Sequence, residues 1–162
     1  MTDSIPASTV QFRPAQITED AVIAQHFYQL WRDNQIGDAD INPNWQRITQ
    51  EFITDARQKL SFQAFVAEVD QQIVGSASCQ LFAGLYPQIL LETQRKYGYI
   101  WNVYVESGYR GRGLGKGLTT CCVEYLKSLG CTRAILHASP FGKPIYTQLG
   151  FNDSNEMRLD LV

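Results

Sequence analysis

The chain has 162 residues, 44% of them hydrophobic and 19% charged, with a formal net charge of −2 at pH 7. That length suits one domain with its own core, and so small a charge leaves no global field for nucleic acid or an anionic membrane. No apolar run approaches the roughly 20 residues of a spanning helix, and Met1 to Val10 lacks the basic start and apolar centre of a signal peptide. Cys79, Cys121, Cys122 and Cys131 have no Cys-x-x-Cys spacing and only His26 and His137 beside them, which speaks against a zinc site. A single domain over 1–162, free of metal and in a reduced cytoplasmic setting, is the expectation.

In chain order, Val10 to Arg13 alternates as a short strand ending at Pro14, and Thr18 can cap a helix to about Asp33 with Ile23, Phe27, Leu30 and Trp31 on one face. Residues 34–44 are polar and turn-rich. Asp38, Asp40 and Asn42 imitate the start of a calcium loop, but Pro43 and Thr49 stand where glycine and glutamate are needed, so the reading is a solvated loop. A second helix is predicted from Trp45 to Leu60, burying Ile48, Phe52, Ile53 and Ala56. Strands Phe62 to Val69 and Ile73 to Leu81 flank a turn at Asp70-Gln71-Gln72. Residues 82–98 read as a long loop over the sheet, and Tyr99 to Val105 as its central strand.

A helix follows from Leu114 to Leu129, with Leu118, Cys121, Cys122, Tyr125, Leu126 and Leu129 inward and Gly130 as left-handed terminator. Ala134 to Ala138 is a strand, Ser139-Pro140 opens a short helix ending at Gly150-Phe151, and Met157 to Val162 is predicted as a closing strand. The order is β-α-α-β-β-β-α-β-α-β, an α/β (α+β) fold with a mixed sheet and helices on both faces.

Residues 109–118, Tyr-Arg-Gly-Arg-Gly-Leu-Gly-Lys-Gly-Leu, carry the functional signal. Gly111, Gly113 and Gly115 let successive N–H groups turn inward, and the following helix adds its positive dipole end. Flanked by Arg110, Arg112 and Lys116, they suit a pyrophosphate. A P-loop fails here: anchoring Gly-Lys on Gly115-Lys116 puts Arg110 at the first glycine and Gly117 at the magnesium hydroxyl. A dinucleotide fingerprint from Gly111 meets Lys116 at its third glycine and has no carboxylate about 20 positions on.

What remains, Arg110-x-x-Gly113-x-Gly115 after the strand Asn102-Val103-Tyr104-Val105 and before Tyr146-Thr-Gln-Leu-Gly150-Phe151, resembles the GNAT superfamily of N-acetyltransferases. The resemblance implies a mostly antiparallel sheet of six to seven strands whose central strand splays from its neighbour. It implies acetyl-CoA as co-substrate, its pyrophosphate on the backbone amides of 110–116 (Leu114 included) and its arm on the main chain of Val103, Tyr104 and Val105. Tyr146 matches the family's proton donor to the departing thiolate, a role a phenol titrating near pH 10 suits.

Two positions depart from the family. Ser139 stands where asparagine is frequent, and either contacts the cofactor arm or caps a helix. Tyr99 stands where many relatives carry a glutamate base. Glu92, Glu106 and His137 are the fallback candidates, although an alternating strand would place His137 among core residues.

Cys121 and Cys122 lie on or beside the buried stripe, unlike a nucleophile, so direct attack by the amine in a ternary complex is preferred. The first two helices and residues 82–98 are expected to wall the acceptor pocket with Trp31, Trp45, Phe82, Tyr86, Tyr97 and Trp101 and the acids Asp38, Asp40 and Glu92. The acceptor is read as a primary amine of a small molecule or peptide, with no nucleic acid or membrane partner and a homodimer left open. A non-catalytic acyl-CoA sensor is the alternative.

Overall fold

The computed structural model describes residues 9–162, so the reading of Met1 to Val10 falls, for residues 1–8, outside the described residues. The chain forms β1 (Gln11–Pro14), α1 (Asp20–Asp33), α2 (Trp45–Lys59), β2 (Gln63–Val69), β3 (Gln72–Leu81), β4 (Tyr97–Val105), α3 (Leu114–Ser128), β5 (Arg133–Ile135) and α4 (Lys143–Gln148). The strands lie in that order across one sheet, antiparallel as far as β4, with β5 parallel to β4.

The sheet separates two cores. On one face Leu114, Leu118, Cys122 and Leu126, the i, i+4, i+8, i+12 stripe of α3, pack on Val74, Ala77, Cys79 and Ile100. Gly98 lies under Leu126, where a Cβ would stand 2.4 Å from its Cδ2. On the other face Ile23 of α1 and Ile53 and Ala56 of α2 pack on Ala64 and Val66. Arg57 clasps Asp20 through two bonds of 2.7 and 2.9 Å, locking α1 to α2, and Arg13 ties β1 to Glu19 and Glu68.

Most element boundaries follow the sequence reading within a few residues. The first helix starts later than Thr18. A 3-10 turn, Ile17–Glu19, precedes it, and Glu19 folds back to accept the Gln16 N–H at 2.8 Å. Gly130 ends α3 with φ 78°. The short helix has Pro144 rather than Pro140 in its first turn, while Ser139 Oγ accepts the Gly142 N–H at 3.2 Å.

Two expectations fail. Among the described residues the sheet has five strands, not six or seven, because Met157 to Val162 is not a strand. Met157, Leu159 and Leu161 are 95%, 80% and 86% exposed, and the backbone of 157–162 has no hydrogen-bond partner among the described residues. Alternating residues choose faces, but a strand exists only where its backbone pairs with another strand, and this segment pairs with none among the described residues.

The second failure lies in the buried stripe of α2. It is Thr49, Ile53 and Ala56, while Ile48 and Phe52 are 43% and 50% exposed and line a cavity. Helical periodicity marks an apolar face without telling a core from a pocket wall.

Candidate active site

The site begins in β4. Its pairing with β3 slips between Ser76 and Ser78, so that Ser76 faces Tyr104 and Ser78 faces Trp101. Asn102 absorbs the extra residue with φ 55°, the left-handed conformation a bulge requires and asparagine tolerates. Its Nδ2 donates to Ile23 O of α1 at 3.3 Å and to Ser76 Oγ at 3.4 Å.

The bulge resets the alternation of the strand. Ile100 and Val103 pack on the α3 face, Trp101 packs against the α1–α2 core, and Tyr104 meets His26 of α1 at a tilt, with ring centroids 4.9 Å apart. Burial pushes the His26 imidazole down to about 4, which keeps it neutral beside Ser76 Oγ at 2.8 Å. The satisfied core histidine foreseen at position 137 is thus at position 26.

β5 pairs with β4 only at Tyr97, Gly98 and Tyr99. Beyond Tyr99 the two strands part, and the edge of β4 from Ile100 to Val105 has no strand beside it among the described residues. That is the splay implied for the central strand, and along Val103, Tyr104 and Val105 it leaves this side without a strand partner, Val105 O accepting from Arg110 instead.

The glycine loop sits at the far end of this edge. Gly111 and Gly113 have φ 75° and 79°, and Gly113 is the N-cap of α3. The first N–H groups of α3 have no intrahelical acceptor, so Leu114, Gly115 and Lys116 present donors there. Side chains divide differently. Leu114 is buried in the α3 core, Arg112 donates to Gly108 O at 3.2 Å, and Arg110 donates to Val105 O at 2.7 Å and to Asp33 Oδ2 at 2.5 Å. Arg110 therefore fastens the loop to β4 and α1, and Lys116 is exposed.

At the other end lies a cavity of about 580 Å³ between α1, α2, β4 and the segment joining β5 to α4. Tyr146, Ser139, Val103 and His137 line it together with Asn102, whose buried Oδ1 has no hydrogen-bond partner. A buried acceptor without a partner among the described residues is uncommon. Burial pushes the Tyr146 phenol up to about 12. Gly115 lies beside Ile145, so α3 and α4 meet over the same cleft. Loop, free strand edge and Tyr146 thus lie along one track.

Tyr99 and His137 meet at the cavity wall, with the Tyr99 hydroxyl 2.8 Å from His137 Nδ1. His137 Nε2 lies 3.4 Å from Glu156 Oε2. Burial, reinforced by Glu156, pushes the Tyr99 phenol up, and Glu156 at Nε2 favours the tautomer whose Nδ1 accepts from the Tyr99 hydroxyl. No sequence spacing marks this trio, because the parallel register that sets Tyr99 against Ile135 brings it together.

The other fallback bases lie elsewhere. Glu92 is exposed, 3.6 Å from Lys96, and Glu106 lies 3.9 Å from His26; neither lines the cavity. Burial pushes the Cys121, Cys122 and Cys131 thiols up, the reverse of nucleophile activation.

The acceptor walls are corrected as well. Trp31 and Trp101 line the cavity, but no residue of 82–98 does, nor do Trp45, Asp38 or Asp40. Trp45 stacks on Tyr28 with centroids 4.5 Å apart.

Comparison with known proteins agrees with this geometry. The model of the acetyltransferase (GNAT) family matches residues 18–151. A glucosamine 6-phosphate N-acetyltransferase of Trypanosoma brucei brucei is 37% identical over 112 residues, 67% of this chain and 73% of that protein. A GCN5-related N-acetyltransferase of Ralstonia eutropha superposes with TM-score 0.81 at 22% identity, covering 94% of this chain and 99% of the other. A protein of Clostridium acetobutylicum described as a predicted acetyltransferase, solved with acetyl-CoA, superposes with TM-score 0.78 at 25% identity over 94% of this chain and 97% of its own.

The chain belongs to the GNAT family of acetyltransferases. It is an acetyl-CoA-dependent N-acetyltransferase, moving an acetyl group to an amine.

Proposed function

We propose that the chain acetylates a primary amine of a small molecule or peptide by direct attack on acetyl-CoA within a ternary complex. The observation that carries this reading is the unpaired edge of β4 from Ile100 to Val105, which runs from the helix N-terminus at Gly113 to the cavity holding Tyr146. The amides of residues 110–116 hold the pyrophosphate, with Arg110 setting the loop through Asp33 and Val105 O. The main chain of Val103, Tyr104 and Val105 meets the cofactor arm and offers N–H groups to the thioester oxygen as it gains charge. Ser139 Oγ accepts the Gly142 N–H in the turn before α4 and lines the cavity beside the arm. Acetyl-CoA supplies the activated acyl group and a thiolate that can leave.

Two proton movements fall to the chain. Tyr146 hydrogen-bonds the sulfur and passes its proton as the C–S bond breaks. The ammonium of the acceptor gives its proton to the Tyr99 oxygen while Tyr99 passes its own to His137 Nδ1, and Glu156 faces the resulting imidazolium at Nε2.

Initial rates of thiol release, measured while acetyl-CoA and amine are varied together, test the order of events. Intersecting reciprocal lines are expected. Parallel lines, the mark of an acetylated enzyme, contradict direct attack.

A further inference from the structure

The acceptor half of the cavity has a composition at odds with a phosphorylated sugar. Trp31 of α1 and Ile48 and Phe52 of α2 are large apolar side chains exposed by 47%, 43% and 50%, and all three face into the cavity. Its floor is Trp101, with Phe27 and Phe52 edge-on at 5.0 and 5.5 Å between centroids. Among the described residues no lysine, arginine, aspartate or glutamate lines the cavity.

The polar side chains at this end are few and partly engaged. Gln80 Oε1 accepts the Trp101 indole N–H at 3.2 Å, and Thr49 Oγ1 donates to Trp45 O at 2.8 Å. The cations of α1 and α2 are also paired: Arg32 with Ile36 O and Asp38, Arg47 with Glu51, Arg57 with Asp20 and Lys59 with Asp55.

A phosphate dianion entering such walls loses its hydration and finds no charge-assisted partner. A flat apolar body instead covers ring surface that water otherwise wets, and aromatic pairs add a geometric preference. We infer that the acceptor is a primary amine carried on an aromatic body, an arylalkylamine, and not an amino-sugar phosphate. The ring lies among Trp31, Phe52 and Trp101, and the amino group points toward Tyr99. This rests on the acetyltransferase reading above and sets the chain apart from its trypanosomal relative in substrate.

The test is thiol release from acetyl-CoA with phenethylamine, tryptamine, glucosamine and glucosamine 6-phosphate. The aromatic amines are expected to exceed glucosamine 6-phosphate by at least about tenfold in kcat/KM, the difference left by one well-formed aromatic contact or one uncompensated polar group. Trp31→Ala, a change at a partly exposed position of α1, is expected to raise the KM for phenethylamine about tenfold while the KM for acetyl-CoA and the melting temperature hold. Preference for glucosamine 6-phosphate, or an unchanged phenethylamine KM in Trp31→Ala, overturns the inference and leaves the acetyltransferase standing. Failure of every amine to release thiol overturns both.

Discussion

Replacing Tyr146 with phenylalanine is expected to lower kcat on the order of 10²-fold and to leave the KM for acetyl-CoA within about twofold. The ring keeps its place in the variant, against Phe151 at 5.9 Å, so what is lost is one oxygen and its proton. The pH dependence follows from the raised phenol. Its pKa is pushed up to about 12 by burial, so the protonated form persists through neutral and moderately alkaline pH and is depleted only as pH climbs toward that value. Wild-type kcat should therefore show no descending limb from Tyr146 below about pH 10. A phenol so reluctant to ionise does not protonate sulfur ahead of bond cleavage. It hydrogen-bonds the sulfur and releases its proton only as the bond breaks and charge appears there, which makes the effect one on kcat. Unchanged turnover in Tyr146→Phe would remove this residue from the mechanism. A limb near pH 8 that vanished in the variant would contradict the assigned protonation.

The second large effect is expected at the opposite wall. Tyr99→Phe and His137→Ala should each reduce kcat/KM for a protonated amine at pH 7 by on the order of 10²-fold. Because the pair serves to take a proton from ammonium, the defect should shrink as pH approaches the pKa of the amine, where the free base arrives without help. The relay needs both members, held 2.8 Å apart, so the double variant should lose little more than either single one. A loss that stayed constant across pH, or that added fully in the double variant, would assign the pair a packing role instead.

What the sequence disclosed and what it withheld divide along one physical line. The glycines were legible, because φ 75° at Gly111, 79° at Gly113 and 78° at Gly130 are backbone demands that only a few residue types meet cheaply. The stripe of α3 was legible through its period. Asn102 was not, since a bulge adds one residue to a strand without changing its composition, and its anchors, Ile23 O and Ser76 Oγ, come from elements far away in the chain. Tyr99 taken alone looked like a missing base. Its meaning lies in His137, reached across a parallel pairing no local pattern reports. Ile48 and Phe52 carried the correct period for α2 and the wrong inference, because a pocket wall and a core are equally apolar. Met157 to Val162 shows the converse, a strand pattern whose backbone pairs with no strand among the described residues.

The claim on which the rest depends is that the free edge of β4 guides the cofactor from the Gly113 loop to Tyr146. A crystal structure of the chain with coenzyme A tests it directly. The account predicts pyrophosphate oxygens on the N–H groups of residues 113–116, the arm beside Val103 to Val105, and the sulfur within roughly 4 Å of the Tyr146 hydroxyl, the reach of a hydrogen bond to sulfur. A cofactor whose sulfur ended away from Tyr146, or whose pyrophosphate lay off that loop, would contradict it.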